Sequence, residues 1–411
     1  MNILFICPYA PTPIRSRPFN LLKFLLRRGH HILLATVYEN ETERQSLDLL
    51  ASLGLQVVAE PHNKAEIIGN LVSALLAGQP LQARYSWNRR LWQQVKHILT
   101  LEVGSWDIIH IEHLRGAQYG ISIQTECPHI NSVSPIIWDS VDNITLLFEQ
   151  AAHTSRSGFG KWVTRFELPR TRRFERDIAG RFNRLLVTSP VDRQAFEWLG
   201  VDPNTITVLS NGVDLEYFSP TDLARQPRQI VFSGKLSYHA NITAALYLVQ
   251  EIMPQVWSQI PEAEVILVGK DPPGELLHIA QNEPRVKVTG YVPDIRPYLH
   301  EASLAVAPLL YGAGIQNKVL EAMACGTPVV ANSQAVSAIS PIPGEDILVE
   351  DTTAGLAEAI IKLLNDPALG AEIGRNGRRY VTTFHDWNNI AANLEAIYLG
   401  ENRQSIQPTK L

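Results

Sequence analysis

YGAGIQNKVLEAMACGTPVVAN, residues 311–332, changes its periodicity twice within twenty-two residues. Gly312 and Gly314 flank a position where the backbone can turn tightly. Ile315 and Gln316 then lead into a helix predicted over Asn317–Cys325. Val319, Leu320, Ala322 and Met323 supply its apolar side, Gly326 stops it, and Pro328–Ala331 reads as a short buried strand. With Leu304–Ala307 as the strand before it, the segment is a βαβ unit of a parallel sheet. The N–H groups that open such a helix favour an anion. Asn317 and Glu321 share a helix face and Lys318 lies beside them, so a cation and a carboxylate stand where a phosphate and a ribose diol could be held.

Outward from this unit the same rhythm covers almost the whole chain. Strands are predicted at Ile3–Cys7, Ile32–Val37, Gln56–Ala59, Asp107–Glu112, Ile136–Asp139, Leu185–Thr188 and Thr207–Ser210. After the polar stretch 219–228 the rhythm restarts with Ile230–Ser233, Glu264–Val268 and Arg285–Thr289, with a helix predicted over Asn241–Ser258. Two α/β domains follow: residues 1–213 and 214–386, with a closing helix and tail over 387–411 and a hinge near 213–228. Ligands of such sheets lie beyond the carboxyl ends of the strands, so two sheets facing each other are expected to make a cleft.

A chain of 411 residues suits two domains of roughly 200 each. Its net charge of −5 offers no overall attraction to nucleic acid, and none is expected as a partner. Cys7, Cys127 and Cys325 are isolated thiols, which fits a reducing compartment and core positions. The apolar run Ile3–Cys7 is too short for a signal peptide and no run is long enough to cross a bilayer, so a cytoplasmic location is expected.

Several polar groups collect at predicted strand ends in the first half. Arg15 and Arg17 follow the first strand, as a clamp for phosphate or an anionic acceptor or as a solvated loop. In Asp107–His113, period-two alternation places His110 and Glu112 on one face, and His113 on the other if the strand continues that far. Asp139 and Asp142 end another strand as acceptor contacts, with helix capping by Asp142 as the alternative. Between Ser155 and Arg184 the basic residues exceed the acidic ones by six, with Trp162, Phe166, Phe174 and Phe182 interleaved. That run reads as a solvated helix face or as a surface for anionic lipid headgroups on the inner face of a membrane.

Glu321–Val330, EAMACGTPVV, resembles the end of the motif that marks the large retaining family of GT-B glycosyltransferases, the group 1 or family 4-like enzymes. The resemblance implies two Rossmann-like doubly wound parallel-sheet domains, with the last helix, here Trp387–Leu399, crossing back to the N-terminal domain. It implies that Glu321 binds the donor ribose. The motif's first Glu, eight positions earlier, is replaced by Ala313. Val231–Leu236 resembles the family strand that brings a cation to the donor diphosphate, here Lys235 after Gly234. The second cation of that loop is absent, Ala240 standing in its place, and Lys318 is the candidate replacement. Val288–Val292 resembles the turn that reads the base, which implicates Tyr291 and Val292. Asp107–Glu112 resembles a strand whose second His supports the reacting centre, here Glu112 with His113 next to it.

The implied function is retaining transfer of a sugar from a nucleotide-sugar donor to a glycan or lipid-linked acceptor in envelope or exopolysaccharide synthesis. Front-face attack with Lys235 and Lys318 stabilising the departing diphosphate needs no metal, and no cofactor is expected. A catalytically silent nucleotide-sugar-binding partner and a GT-B nucleotide-sugar epimerase remain as alternatives.

Overall fold

The computed structural model describes residues 1–13, 15–154, 158–222, 224–312 and 314–401, without the side chains of 131 and 151–163. Ala313 and Arg156 lie outside the described residues, as do the side chains of Lys161 and Trp162. Contacts divide the chain into one unit of Met1–Ser210 with the segment that begins at Asn388, and a second unit of Asn211–Trp387.

The first unit holds β1 (Asn2–Cys7), β2 (His31–Tyr38), β3 (Gln56–Pro61), β4 (Ile108–Glu112), β5 (Ile136–Val141), β6 (Arg184–Val187) and β7 (Ile206–Val208). They form one sheet in the order β3-β2-β1-β4-β5-β6-β7, parallel throughout. The second unit holds β8 (Gln229–Ser233), β9 (Glu264–Val268), β10 (Val286–Gly290), β11 (Leu304–Ala307), β12 (Val329–Ala331) and β13 (Leu348–Val349). Their order is β10-β9-β8-β11-β12-β13, again parallel. Both sheets are doubly wound and Rossmann-like, as the sequence predicts. The strand order reverses beside β1 in one and β8 in the other, which puts the ligand position at the β1/β4 and β8/β11 edges.

The strands read as continuous apolar runs because helices cover both sheet faces. Ile3, Leu4, Phe5, Ile6 and Cys7 of β1 are all sealed from solvent, and so are Ile230 and Phe232 of β8. All three cysteines are buried thiols.

The structure departs from the predicted elements in four places. The helix expected over Asn241–Ser258 is broken into His239–Tyr247, a π-turn Leu248–Ile252 and Met253–Gln259. Pro254 has no N–H for the Gln250 carbonyl, so the ladder widens there. Asp107 precedes β4 and accepts the Asn2 N–H at 2.7 Å. β13 is only two residues long, too short to carry a pattern. Finally, β4 stops at Glu112, and His113 turns into the helix His113–Glu126 with φ 62°.

Helix Trp387–Tyr398 groups with the first unit from Asn388 onward. Glu395 accepts from Arg28 Nε at 2.8 Å, and the Tyr398 hydroxyl meets His110 Nδ1 at 2.8 Å.

Candidate functional site

In the second unit, β8 ends at Ser233 and the chain turns through Gly234 at φ 147°. A side chain there would crowd its neighbours: an added β-carbon would lie 2.9 Å from Asn241 Nδ2 and 3.2 Å from Lys318 Cε. Gly269, after β9, is equally constrained, since a β-carbon would stand 1.8 Å from the Gly234 carbonyl oxygen. Two glycines thus let the ends of neighbouring strands close over one another and hold the Gly234–Lys235 turn in place.

Lys318 reaches this turn from helix Asn317–Ala324. Its ammonium donates to Asn241 Oδ1 at 2.6 Å, and Asn241 Nδ2 donates to the Lys235 carbonyl at 3.0 Å. The Lys318 ammonium also stands 5.3 Å from the centre of the Phe232 ring. Burial lowers the Lys318 pKa to about 8 against the pull of Glu321, and it raises Glu321 to about 7 against the pull of Lys318. The pair is therefore poised to respond to a ligand's charge near neutral pH.

The loop before the helix holds Gly312 and Gly314 at positive φ, with Gln334 Nε2 donating to the Gly312 carbonyl at 2.7 Å. Ile315 is buried, and Gln316 at the helix N-cap makes no side-chain capping bond. Lys235 is exposed at the turn. Tyr291, after β10, is 71% exposed, and Val292 packs on the second unit's core. Gly234, Asn241 and Lys318 are thus brought together, with Lys235 one residue beyond and Glu321 one helical turn away.

Asn241 carries no sequence signal of this kind. It sits at the start of an ordinary helix, and its role depends on a lysine contributed by a different βα unit. The same holds for the hydrogen bond between His239 and the Tyr311 hydroxyl.

In the first unit the carboxyl edges of β1, β4 and β5 converge on a buried polar cluster. His110, Glu112 and Asp139 are each sealed from solvent, and one ligand-type atom from each lies within 4.8 Å of the others. His110 stacks on Phe5 with ring centroids 4.2 Å apart, and its Nε2 faces Glu112 Oε2 at 3.7 Å and Asp139 Oδ2 at 3.8 Å. Burial lowers His110 to about 4, so the ring is neutral. Burial raises Glu112 to about 7, opposed by Arg17 and the Tyr9 hydroxyl. Neither Glu112 oxygen has a hydrogen-bond partner of ordinary geometry.

Arg17 and Asp139 are placed otherwise than a ligand clamp requires. Arg17 Nη2 and Nε donate to Asp139 Oδ2 at 2.7 and 3.0 Å, and Nη1 donates to the Leu209 carbonyl at 3.0 Å. This buried pair ties the first helix to the strand ends β5 and β7. Asp142 accepts from the Thr188 hydroxyl at 3.2 Å, and burial with the neighbouring Asp192 charge raises its pKa. The capping role falls to Asn143 instead, whose Oδ1 accepts the Leu146 N–H at 2.7 Å.

Arg15 is 37% exposed and pairs with Glu43 at 2.9 Å while lying over the Tyr9 ring. His113 stands edge-on to Tyr9 and is lowered to about 3 by burial and then by Arg115.

His110, Glu112 and Asp139 have the composition of a cation site. The Arg17 guanidinium already occupies one Asp139 oxygen.

Comparison with known proteins places both halves. The family model described as "Glycosyl transferase 4-like domain" matches residues 14–212, and the one described as "Glycosyl transferases group 1" matches residues 227–366. The chain is 27% identical over 216 residues to a glycogen synthase of Mycobacterium tuberculosis, 49% of this chain and 50% of that one. It is also 27% identical over 224 residues to a phosphatidyl-myo-inositol mannosyltransferase of Mycolicibacterium smegmatis, 52% of this chain and 56% of that one. The chain spans about half the length of the curated relatives it matches. Among solved structures, Anabaena HepE in complex with UDP-glucose shares the fold with a TM-score of 0.69 and 16% identity, covering 97% of this chain and all of that one.

Proposed function

Because the chain belongs to the group 1, 4-like glycosyl transferases, we propose that it is a retaining enzyme moving a sugar from a nucleotide-sugar donor to a glycan or lipid-linked acceptor in envelope or exopolysaccharide synthesis. The observation that carries the donor assignment is the Lys318–Asn241 bond beside the Gly234 turn, with Glu321 one turn along the same helix. A diphosphate placed against Lys235, Lys318 and the positive end of helix Asn317–Ala324 meets positive potential without a metal. Glu321 answers the ribose hydroxyls, and Tyr291 with Val292 flanks the base.

In the proposed reaction the bond from the anomeric carbon to the diphosphate breaks while the acceptor oxygen bonds to the same face of that carbon. The acceptor proton passes to the departing diphosphate oxygen. Glu112 and His113 are assigned a supporting part in the reaction from the resemblance of their strand to the family's. Peripheral attachment to the inner face of a membrane, through the basic run 155–184, would bring the enzyme to a lipid-linked acceptor.

The second reading, a silent nucleotide-sugar-binding partner, is favoured by one observation, Ala313 at the motif's first Glu position. Calorimetric titration with a panel of nucleotide sugars, followed by donor hydrolysis without acceptor, separates the two. Binding with slow hydrolysis supports the transferase, and binding without turnover under any acceptor supports the silent partner. No binding to any nucleotide sugar sinks both.

A further inference from the structure

Arg115 stands in the first turn of helix His113–Glu126, at the β1/β4 edge of the first unit. Local geometry fixes it there. The chain leaves β4 at Glu112 and turns at once through His113 at φ 62°, a left-handed backbone that a residue with a side chain adopts only under strain. Gly116 lets the helix close on the loop after β1. An added β-carbon there would stand 3.2 Å from Ile111 Cγ2 and 3.5 Å from Pro8 Cδ.

The Arg115 guanidinium has no counter-charge of its own. Its Nε is buried without a hydrogen-bond partner, and among the described residues no ion pair holds it. Its contact is the Tyr85 ring, whose centre lies 4.8 Å away. Burial lowers the Arg115 pKa, opposed by Tyr9 and Tyr85 and reinforced by the Arg15 charge. Beside it, Arg15 lies over the Tyr9 ring at 4.9 Å and His113 stands edge-on to the same ring at 5.9 Å. Burial and Glu112 raise the Tyr9 hydroxyl, and both arginines oppose that rise, so two guanidinium groups act on one phenol. The acids nearby are engaged with other groups. Glu43 accepts the Glu39 N–H at 2.8 Å and pairs with Arg15 at 2.9 Å, and the exposed Glu39 accepts the Tyr85 hydroxyl at 3.4 Å.

We propose that Arg115, with Arg15 and Tyr9 beside it, binds an anionic group of the sugar acceptor, a phosphate or a carboxylate. A guanidinium fork matches either group with two parallel hydrogen bonds. A neutral hydroxyl would leave the half-buried charge of Arg115 uncompensated, whereas an anion completes the pair that the fold leaves open. Tyr85, stacked on the guanidinium, orients the fork. The donor diphosphate being assigned to the second unit, the anion here belongs to the acceptor. The proposal rests on the transferase reading above and names the chemistry of its acceptor.

The first test treats the full chain with phenylglyoxal in sodium chloride, sodium phosphate or sodium acetate at equal ionic strength, and locates modified arginines by peptide mass spectrometry. Arg115 should be modified several-fold more slowly in phosphate or in acetate than in chloride, while the exposed Arg90 reacts alike in all three. Protection by phosphate alone assigns a phosphate, and protection by acetate alone a carboxylate. Equal rates in the three salts, or an Arg115 that does not react at all, overturn the proposal. The second test measures transfer to monosaccharides offered as neutral sugar, 6-phosphate and uronate. Arg115→Gln should raise the KM of the anionic acceptor about tenfold or more and leave the donor KM unchanged. Arg115→Lys, with the charge but not the fork, should fall between. A neutral sugar preferred to its anionic counterparts, or an unchanged acceptor KM in Arg115→Gln, also overturns it. Calorimetry with nucleotide sugars separates the two readings: no binding by the wild type removes the transferase, whereas binding without any preference for anionic acceptors removes only this proposal.

Discussion

Lys318 and Asn241, 77 residues apart in the chain, share a 2.6 Å hydrogen bond beneath the turn at the end of β8. The same asparagine holds the Lys235 carbonyl through its amide nitrogen, so one side chain positions the ammonium against the turn that carries the second lysine. Asn241→Leu should lower turnover and also cost stability, because it leaves the buried Lys318 ammonium without its acceptor. Lys318→Ala should lower turnover further, and EDTA should leave wild-type turnover unchanged. Donor consumption and thermal unfolding are the measurements. Activity that disappears with chelator and returns with magnesium would remove the lysine account.

Glu321 lies one turn beyond Lys318, and burial holds its carboxyl near the point of ionisation. Glu321→Gln should weaken nucleotide-sugar affinity by about 1.5–3 kcal/mol, the range of a hydrogen bond to a charged group. The fold should survive, since amide and carboxyl have the same shape. Unchanged affinity in calorimetry would contradict the ribose assignment.

Glu112 sets a pH dependence whose sign follows from its burial. Its pKa is raised from 4.5 to about 7 in the folded chain, so the folded state binds the proton more tightly than the unfolded one. The resulting stability is fully present below about pH 4.5 and is lost as pH rises through about 7, up to roughly 3 kcal/mol at 1.4 per unit. Glu112→Gln keeps a neutral group in place. Relative to wild type it should gain stability between about pH 5 and about pH 8 in denaturant titrations. Parallel curves for the two proteins across that range would show that Glu112 does not bind its proton on folding.

Arg17 and Asp139 form a buried pair in which the guanidinium donates twice to Asp139 Oδ2 and also to the Leu209 and Ser210 carbonyls. Arg17→Met should cost about 3–5 kcal/mol, because it strands a carboxylate away from water. Arg17→Met with Asp139→Asn should recover much of that loss. Recovery of nucleotide-sugar binding in proportion to folded protein would confirm a structural role. A selective loss of turnover in fully folded Arg17→Met would argue for a ligand contact instead.

The strands of both sheets are legible in the sequence because parallel strands buried on two faces must be apolar along their whole length. Ile3–Cys7 and Glu264–Val268 need no tertiary information to be recognised. The Tyr311–Asn332 unit is legible for a related reason: its glycines, its helical period and its charged first turn sit within one local segment. Breaks that depend on a single backbone donor are harder to see, and Pro254 turned one predicted helix into two with a π-turn between them.

What only the tertiary structure decided is which polar and apolar groups meet, and which way they face. Arg17 and Asp139 read as rim residues until a helix and a strand 122 positions apart in the chain are brought together. Asn241 acquires its role from a lysine in another βα unit. Helix Lys64–Leu76 has an apolar stripe whether that stripe faces the core or the solvent, because periodicity records the existence of a face and not its direction. Local chemistry is written in spacing along the chain. Desolvation, pairing and exposure depend on neighbours that the chain order leaves unspecified, and those are the quantities that set the pKa of Glu112 and Lys318 and turn Leu76 outward.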